Sequence, residues 1–266
     1  MKRHIFLAAA VISALGFSTG LQARRQLLLV SDTQMNQMGS EAFEKLKSGN
    51  KLSSDKKKLA QTQCVVNALI AVLPEKQARQ AWEVQVFEDD SPNAFALPGG
   101  KVGVNTGMFK VIKSQDELAA VIGHEIAHVV SQHANERVSQ QTLTGLVLQG
   151  AGAYAGSKTS SNNTQLLMAG LGLSAQVGLL LPFSRKHENE ADILGQKYMA
   201  NAGFDPAKAV NLWENMMAVN KNGSPPQILS THPDSKNRIK TLKERTPGLM
   251  DNFQAARKAG KKPSCF

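Results

Sequence analysis

Apolar positions recur with two different periods along this chain, and the change of period separates helical from extended stretches. Residues 31–47 and 54–73 read as helices. In the second, Leu59, Val66, Leu69, Ile70 and Leu73 return at helical spacing, and Pro74 stops the run. Over 82–88, WEVQVFE, apolar and polar residues alternate, which is the period of a strand. The next stretch, SPNAFALPGGKVGVNTGMFK (91–110), breaks short extended pieces with Pro92, Pro98, Gly99, Gly100 and Gly103. That punctuation predicts a strand, a tight turn and a second strand. Helical spacing resumes at Ser114-Gln115-Asp116-Glu117, a capping box in which the serine caps and the glutamate follows three residues on. The helix it opens is predicted to run through about Asn135.

Farther along, 142–181 is rich in Gly, Ala and Leu, with a polar patch from Ser157 to Thr164 between two apolar arms. Neither arm reaches the roughly 20 apolar residues that a membrane span requires, so they read as core helices or a lid over a cleft, in preference to membrane contacts. Ser184 caps a further helix to about Asn201, and Asp205-Pro206 starts another by the cap-then-proline rule. A Gly/Ser/Pro-rich loop covers 221–227, and a last helix begins near Pro233. With no repeat and no internal boundary, the pattern predicts one α+β domain, predominantly helical, with a small β-sheet.

Composition changes this picture little. At 266 residues, 42% hydrophobic and 20% charged, the chain has the makeup of a globular protein with a real core. The net charge of +10 is spread along the chain, with no zinc-finger or RNP signature, and two tyrosines and two tryptophans offer few stacking platforms. The charge therefore reads as a solvated basic surface, with no nucleic-acid partner. The start of the chain is more telling. Met1-Lys2-Arg3-His4 is basic, Ile5 to Phe17 is almost wholly apolar, and Ser18, Thr19, Gly20 and Ala23 are small. This is the layout of a secretory signal peptide over 1–23, cleaved after Gly20 or after Ala23 and leaving 24–266 as the mature domain. No cysteine lies there for lipid attachment, so the expected location is the periplasm, with peripheral membrane contact still open. Cys64 and Cys265 are the only cysteines. In an exported protein an even count makes a disulfide the first reading, with two unpaired thiols as the alternative.

The candidate chemistry sits in VIGHEIAHVV, 121–130. Residues i and i+4 share a helix face about 6 Å apart along the axis, so His124 and His128 can hold a single metal. Glu125, rotated by about 100°, is placed to reach a water. The pattern is a metalloprotease signature with the glutamate as general base, or else a helix with hydrogen-bonded histidines. A catalytic zinc needs a third protein ligand and an open position. HENEAD, 187–192, supplies carboxylates, with Glu188 and Asp192 at i and i+4 on one face. The longer Glu188 can reach the metal while Asp192 accepts a proton from a ligand histidine and fixes its tautomer. Glu190, about 200° from Glu188, looks elsewhere. His133 lies about 140° off the ligand face and His187 faces away, so neither is expected to be a ligand.

His124-Glu125-Ile126-Ala127-His128, followed by Glu188-Asn189-Glu190-Ala191-Asp192, NAFALPGG (93–100) and STHPDSKNRI (230–239), resembles the metallopeptidase family of HtpX, the CAAX prenyl endopeptidases, BepA and LoiP (metallopeptidase family 48). The resemblance covers roughly 31–245. It implies a zincin (gluzincin) domain holding one Zn2+ per chain through His124, His128 and Glu188. It also implies that His232 either fills the open metal position in a resting state or stabilises the oxyanion, and that Arg238 serves the oxyanion or holds a ligand carboxylate; the alternative is that His232-Pro233 merely caps the last helix and Arg238 makes a surface ion pair. By the same resemblance, Asn93, Ala94, Phe95 and Ala96 form an edge strand beside the active-site helix that binds extended substrate by strand addition, with an ordinary edge hairpin as the alternative. The implied activity is hydrolysis of peptide bonds in misfolded or misassembled envelope proteins, outer-membrane proteins among them. The alternative is a chaperone-like assembly factor with latent or self-inhibited protease activity. Unlike HtpX and the prenyl proteases, this chain lacks multiple membrane spans. Unlike BepA, it is expected to carry no tetratricopeptide array.

Overall fold

A three-stranded sheet with a helical layer on each face forms the frame. The computed structural model of the protein describes residues 26–154, 183–220, 227–232 and 235–266. The signal-peptide reading, 1–23, and most of the 142–181 reading lie outside these residues. Strands β1 (Glu83–Phe87), β2 (Ala94–Leu97) and β3 (Lys101–Asn105) pair in the order β1-β3-β2. β3 is parallel to β1, with Val84 opposite Val102 and Val86 opposite Val104. It is antiparallel to β2, with Ala94 opposite Val104. Gly99 and Gly100 turn the chain between β2 and β3 at φ 82° and 74°, a left-handed conformation that favours glycine.

One face of the sheet meets helix α1 (Asp32–Gly49), where Phe43, Phe87 and Leu97 make a small separate core. The other face supplies Val84, Val102 and Val104 to the main core, shared with helix α2 (Lys56–Ile70) and helix α4 (Gln115–Val130). Between α2 and β1 lies α3 (Glu75–Ala78), a single turn beginning just after Pro74, where the apolar period had marked only a stop. Thr106–Lys110, a short 3-10 helix, leads from β3 toward α4. Ser114 caps α4 by accepting from the Glu117 N–H. The Glu117 carboxylate reaches one residue past the cap and accepts from the Lys113 N–H at 2.6 Å.

The expected helix to Asn135 is instead two helices. α4 stops at Val130, Gln132 takes a left-handed φ of 54°, and α5 (His133–Tyr154) starts in a new direction. No glycine or proline marks this break. After it come α6 (Arg185–Ala202), α7 (Lys208–Asn220), α8 (Gln227–Thr231) and α9 (Ser235–Lys258). α6 is capped by Ser184 and closed by Gly203 at φ 87°, a left-handed helix stop. The short α8 was not expected, and its start falls at the end of the predicted 221–227 loop.

α4 and α6 form the most extensive helix pair. They cross at glycines: a Cβ on Gly195 would lie 2.8 Å from the His124 backbone nitrogen, and one on Gly123 would lie 3.2 Å from the Gly195 carbonyl oxygen. Two residues without side chains let the backbones approach, bringing the histidine face of α4 against the carboxylate face of α6. Gln196 ties α6 onward by donating to the Leu242 carbonyl of α9 at 3.0 Å. A disulfide joins Cys64 of α2 to Cys265, and the Cys265 N–H donates to Gln115 at 2.7 Å, pinning the C-terminal segment to the start of α4. Among the described residues, no helix is long and apolar enough to cross a membrane.

Candidate metal centre

Four buried side chains from three places in the chain converge: His124 and His128 from α4, Glu188 from the first turn of α6, and His232 just after α8. Each offers one ligand atom, and these atoms all lie within 4.8 Å of one another. His124 Nε2 is 3.0 Å from His128 Nε2 and 3.2 Å from His232 Nδ1. The Glu188 carboxylate is 3.5 Å from His124 Nε2, 3.6 Å from His128 Nε2 and 3.0 Å from His232 Nδ1. Bonds of about 2.05 Å to a tetrahedral ion imply ligand–ligand edges of about 3.3 Å. The observed separations cluster around that value, so these atoms can share one cation. The donor set, nitrogens plus a carboxylate oxygen, suits zinc.

Around this group Asp192 and Arg238 supply further partners. His124 Nδ1 meets Asp192 Oδ1 at 3.0 Å. Arg238, in the first turn of α9, grips Asp192 with two bonds, from Nε and Nη2, both 2.7 Å. Its third nitrogen, Nη1, lies 2.8 Å from Glu188 Oε2. Of the two roles expected for Arg238, the geometry fits that of holding the ligand carboxylate. The guanidinium lies over the Trp213 ring at 3.7 Å, and Trp213 also meets the His124 ring edge-on at 6.0 Å. Burial would raise Asp192 and Glu188, but Arg238 and the histidines hold both carboxyls below their ordinary values. Burial and the His124 charge push His128 well below the usual imidazole value, toward the neutral form a metal needs.

His133 and His187 are not among the four, as the face argument expected, yet both are buried beside them. The turn at Gln132 carries His133 back so that its Nδ1 sits 2.9 Å from His128 Nδ1. His187 stacks on His133 at 4.4 Å and meets Glu136 at 3.2 Å. Sequence periodicity passed over Trp213, the contact of His133 with His128, and Phe183. The Phe183 ring stacks on His128 at 4.0 Å and lies beneath the Arg137 guanidinium, also at 4.0 Å.

Glu125 opens onto a cleft of about 500 Å³ lined also by His128, His232, Phe183, Arg137 and residues 93–96. Its Oε1 is buried, accepts no hydrogen bond and lies 3.4 Å from His232 Nε2. Burial raises the Glu125 pKa, the change that suits a carboxylate for taking up and releasing a proton. Across the cleft, β2 pairs with β3 on one side and, among the described residues, with no strand on the other. The Asn105 N–H donates to the Asn93 carbonyl at 2.9 Å, and Phe95 stands opposite Gly103. Antiparallel pairing alternates, so the main-chain groups of Asn93 and Phe95 turn toward β3 while those of Ala94 and Ala96 turn outward. The Phe95 ring packs back over Gly103 and against Phe87, 5.8 Å between centroids, leaving a wall of backbone and alanine.

The model of peptidase family M48 matches residues 56–246. The mitochondrial metalloendopeptidase OMA1 of Schizosaccharomyces pombe is 41% identical over 174 residues, covering 62% of this chain and 47% of that protein. OMA1 of Danio rerio is 31% identical over 280 residues, covering 94% of this chain and 56% of that one. The beta-barrel assembly-enhancing protease of Escherichia coli (strain K12) is 30% identical over 182 residues, 65% of this chain and 37% of the relative. The chain thus spans about half the length, or less, of the curated relatives it matches first.

Proposed function

The chain belongs to peptidase family M48, which makes it a metallopeptidase, and on that premise we propose that it is a zinc endopeptidase of the bacterial periplasm acting on misfolded or misassembled envelope proteins. The carrying observation is the convergence of His124, His128 and Glu188 beside the buried, unbonded Oε1 of Glu125. Held by those three residues, zinc would acidify water and polarise a peptide carbonyl. Glu125 takes the proton of the attacking water and delivers it to the departing amine. Asp192 keeps the His124 ring in the tautomer that presents Nε2, and Arg238 fixes both carboxylates. Substrate lies extended along β2, bonded to the outward groups of Ala94 and Ala96, which asks little of its side chains. Such tolerance suits unfolded clients. The periplasmic assignment is supported by the leader-like layout of residues 1–23 and by a disulfide that persists in an oxidising compartment. The experiment is digestion of casein by the zinc-loaded chain beside Glu125→Gln. Cleavage lost in the variant, with client binding kept, supports the reading; equal cleavage by both removes Glu125 from the chemistry.

One observation favours a latent form. His232 Nδ1 is a fourth donor, 3.0 Å from Glu188 and 3.2 Å from His124, where substrate oxygen has to enter. In this reading His232 holds the resting enzyme closed and must swing away for catalysis. His232→Ala then raises basal proteolysis; a loss instead assigns His232 to oxyanion support.

A further inference from the structure

The two ligand histidines of α4 are held by different devices, and only one follows from helix periodicity. His124 meets a carboxylate directly, Asp192, at 3.0 Å. His128 meets another imidazole: its Nδ1 lies 2.9 Å from His133 Nδ1. His133 is fully buried, and its Nε2 lies 3.4 Å from Glu190 Oε2. We propose that His133 and Glu190 form a positioning relay that fixes the tautomer and ring plane of His128 for metal binding.

The tautomers follow one from the next. His128 Nε2 faces the other ligands, so its lone pair belongs to the metal and its proton sits on Nδ1. That proton points at His133 Nδ1, which must then be the acceptor. A neutral imidazole that accepts at Nδ1 carries its own proton on Nε2. There it faces a carboxylate, an acceptor of suitable charge. The series runs from His128 through His133 to Glu190, whose side chain is 25% exposed. The His133 ring is held in plane by stacking on His187, which in turn meets Glu136 at 3.2 Å. Second partners of ligand histidines are ordinarily carboxylates, carbonyls or water, and their loss costs about 10–100-fold in metal affinity. Here an imidazole is interposed, so the anion acts on His128 from one residue farther away. The left-handed turn at Gln132 makes this possible, since a continued helix would carry His133 off the ligand face.

The proposal rests on His128 being a metal ligand, and the experiment separates the two. Zinc affinity of the full chain is measured by competition with a chromophoric chelator for wild type, His133→Leu, His133→Asn and Glu190→Ala, with urea unfolding of each metal-free form alongside. Leucine keeps the volume and removes the acceptor; asparagine loses volume but places Oδ1 where Nδ1 was. A relay predicts zinc affinity weakened about 10–100-fold in His133→Leu, within threefold of wild type in His133→Asn, and weakened several-fold in Glu190→Ala. A visible spectrum of the cobalt-substituted protein that shifts in His133→Leu and returns in His133→Asn is also expected. Leucine matching wild type in affinity, or asparagine failing as badly as leucine, overturns the relay and leaves His133 a packing residue. Should His133→Leu not fold, Glu190→Ala decides, and unchanged affinity there overturns the relay. Wild type that binds no zinc overturns the metal-centre reading itself.

Discussion

The two walls of the cleft are built on opposite principles. On the α4–α6 side the chemical groups are side chains, nearly all are buried, and the ring nitrogens of His124 and His128 and the carboxylates of Glu188 and Asp192 face named partners, while Glu125 Oε1 alone of the site's carboxylate atoms is left unbonded. On the β2 side the groups on offer are main-chain N–H and C=O of Ala94 and Ala96, beside small side chains and at a sheet edge. A misplaced ligand costs metal, so the catalytic wall is over-determined by packing and hydrogen bonds. On the proposed strand-addition reading, this second wall is the recognition wall, and its bonds are ones that every peptide can make. The contrast teaches that the metal-site wall is fixed by specific side-chain contacts, whereas the strand wall, if it receives substrate as proposed, makes few demands on a client's side chains.

The largest effect should come from the catalytic wall alone. Glu125→Gln removes the proton acceptor while preserving shape, and kcat should drop by about 100- to 10,000-fold with zinc content and KM for casein little changed. Equal losses in kcat and bound zinc would mean that Glu125 supports the metal, and the division between the walls would blur.

Next in size is a pH effect on the metal-free protein. Burial and Arg238 act to lower His124, but hydrogen bonds to Asp192 and Glu188 carry it up to about 9 from an ordinary 6.5. A folded value above the unfolded one gives stability that is complete below pH 6.5 and is lost as pH rises through 9. Urea unfolding of chelator-treated protein should therefore show a loss of up to about 3 kcal/mol between these pH values, absent in His124→Gln. A flat profile in wild type would show that the carboxylates do not hold a proton on His124 when the metal is gone.

A smaller change tests how closely the helices must approach. Gly195→Ala places a Cβ 2.8 Å from the His124 backbone nitrogen, whereas Gly123→Ala meets its nearest atom at 3.2 Å. Overpacking of this kind costs about 1–3 kcal/mol, and the expectation is weaker zinc binding for Gly195→Ala with a milder effect for Gly123→Ala. The reverse order would remove the crossing as the reason these faces meet.

How much of this was legible follows from periodicity. His124 with His128, and Glu188 with Asp192, are visible as i,i+4 pairs because a helix repeats, and Ser114 and Ser184 announce their helices through capping. The alternation in 82–88 and the glycines at 99–100 gave the strands. Periodicity fails where the helix fails. Nothing in Val130-Ser131-Gln132-His133 marks a left-handed residue, so the return of His133 to His128 was invisible. Trp213 and Phe183 each contribute one ring from a distant element, and a single aromatic has no period to read. Arg238 stood in a recognisable stretch, but its choice of carboxylates over oxyanion is a fact of three-dimensional packing.

The smallest expected effect lies on the recognition wall and is the sharpest test of the comparison. If pairing alternates as the Asn105–Asn93 bond indicates, the Ala96 N–H points away from β3 and toward substrate. Proline at an outward position of an edge strand keeps the sheet intact, because it removes a donor that the ladder does not use. Ala96→Pro should therefore fold, bind zinc as wild type does and keep its disulfide. It should lose one main-chain bond to an extended client, about 1 kcal/mol, seen as a five- to tenfold fall in kcat/KM for casein carried mainly by KM. Phe95→Pro, whose N–H is directed at β3, should instead destabilise the sheet. Casein cleaved equally by Ala96→Pro and wild type would end the strand-addition reading. Zinc lost along with substrate would end the separation of the walls, since a backbone change on β2 would then be felt at His128 through the α4 contact.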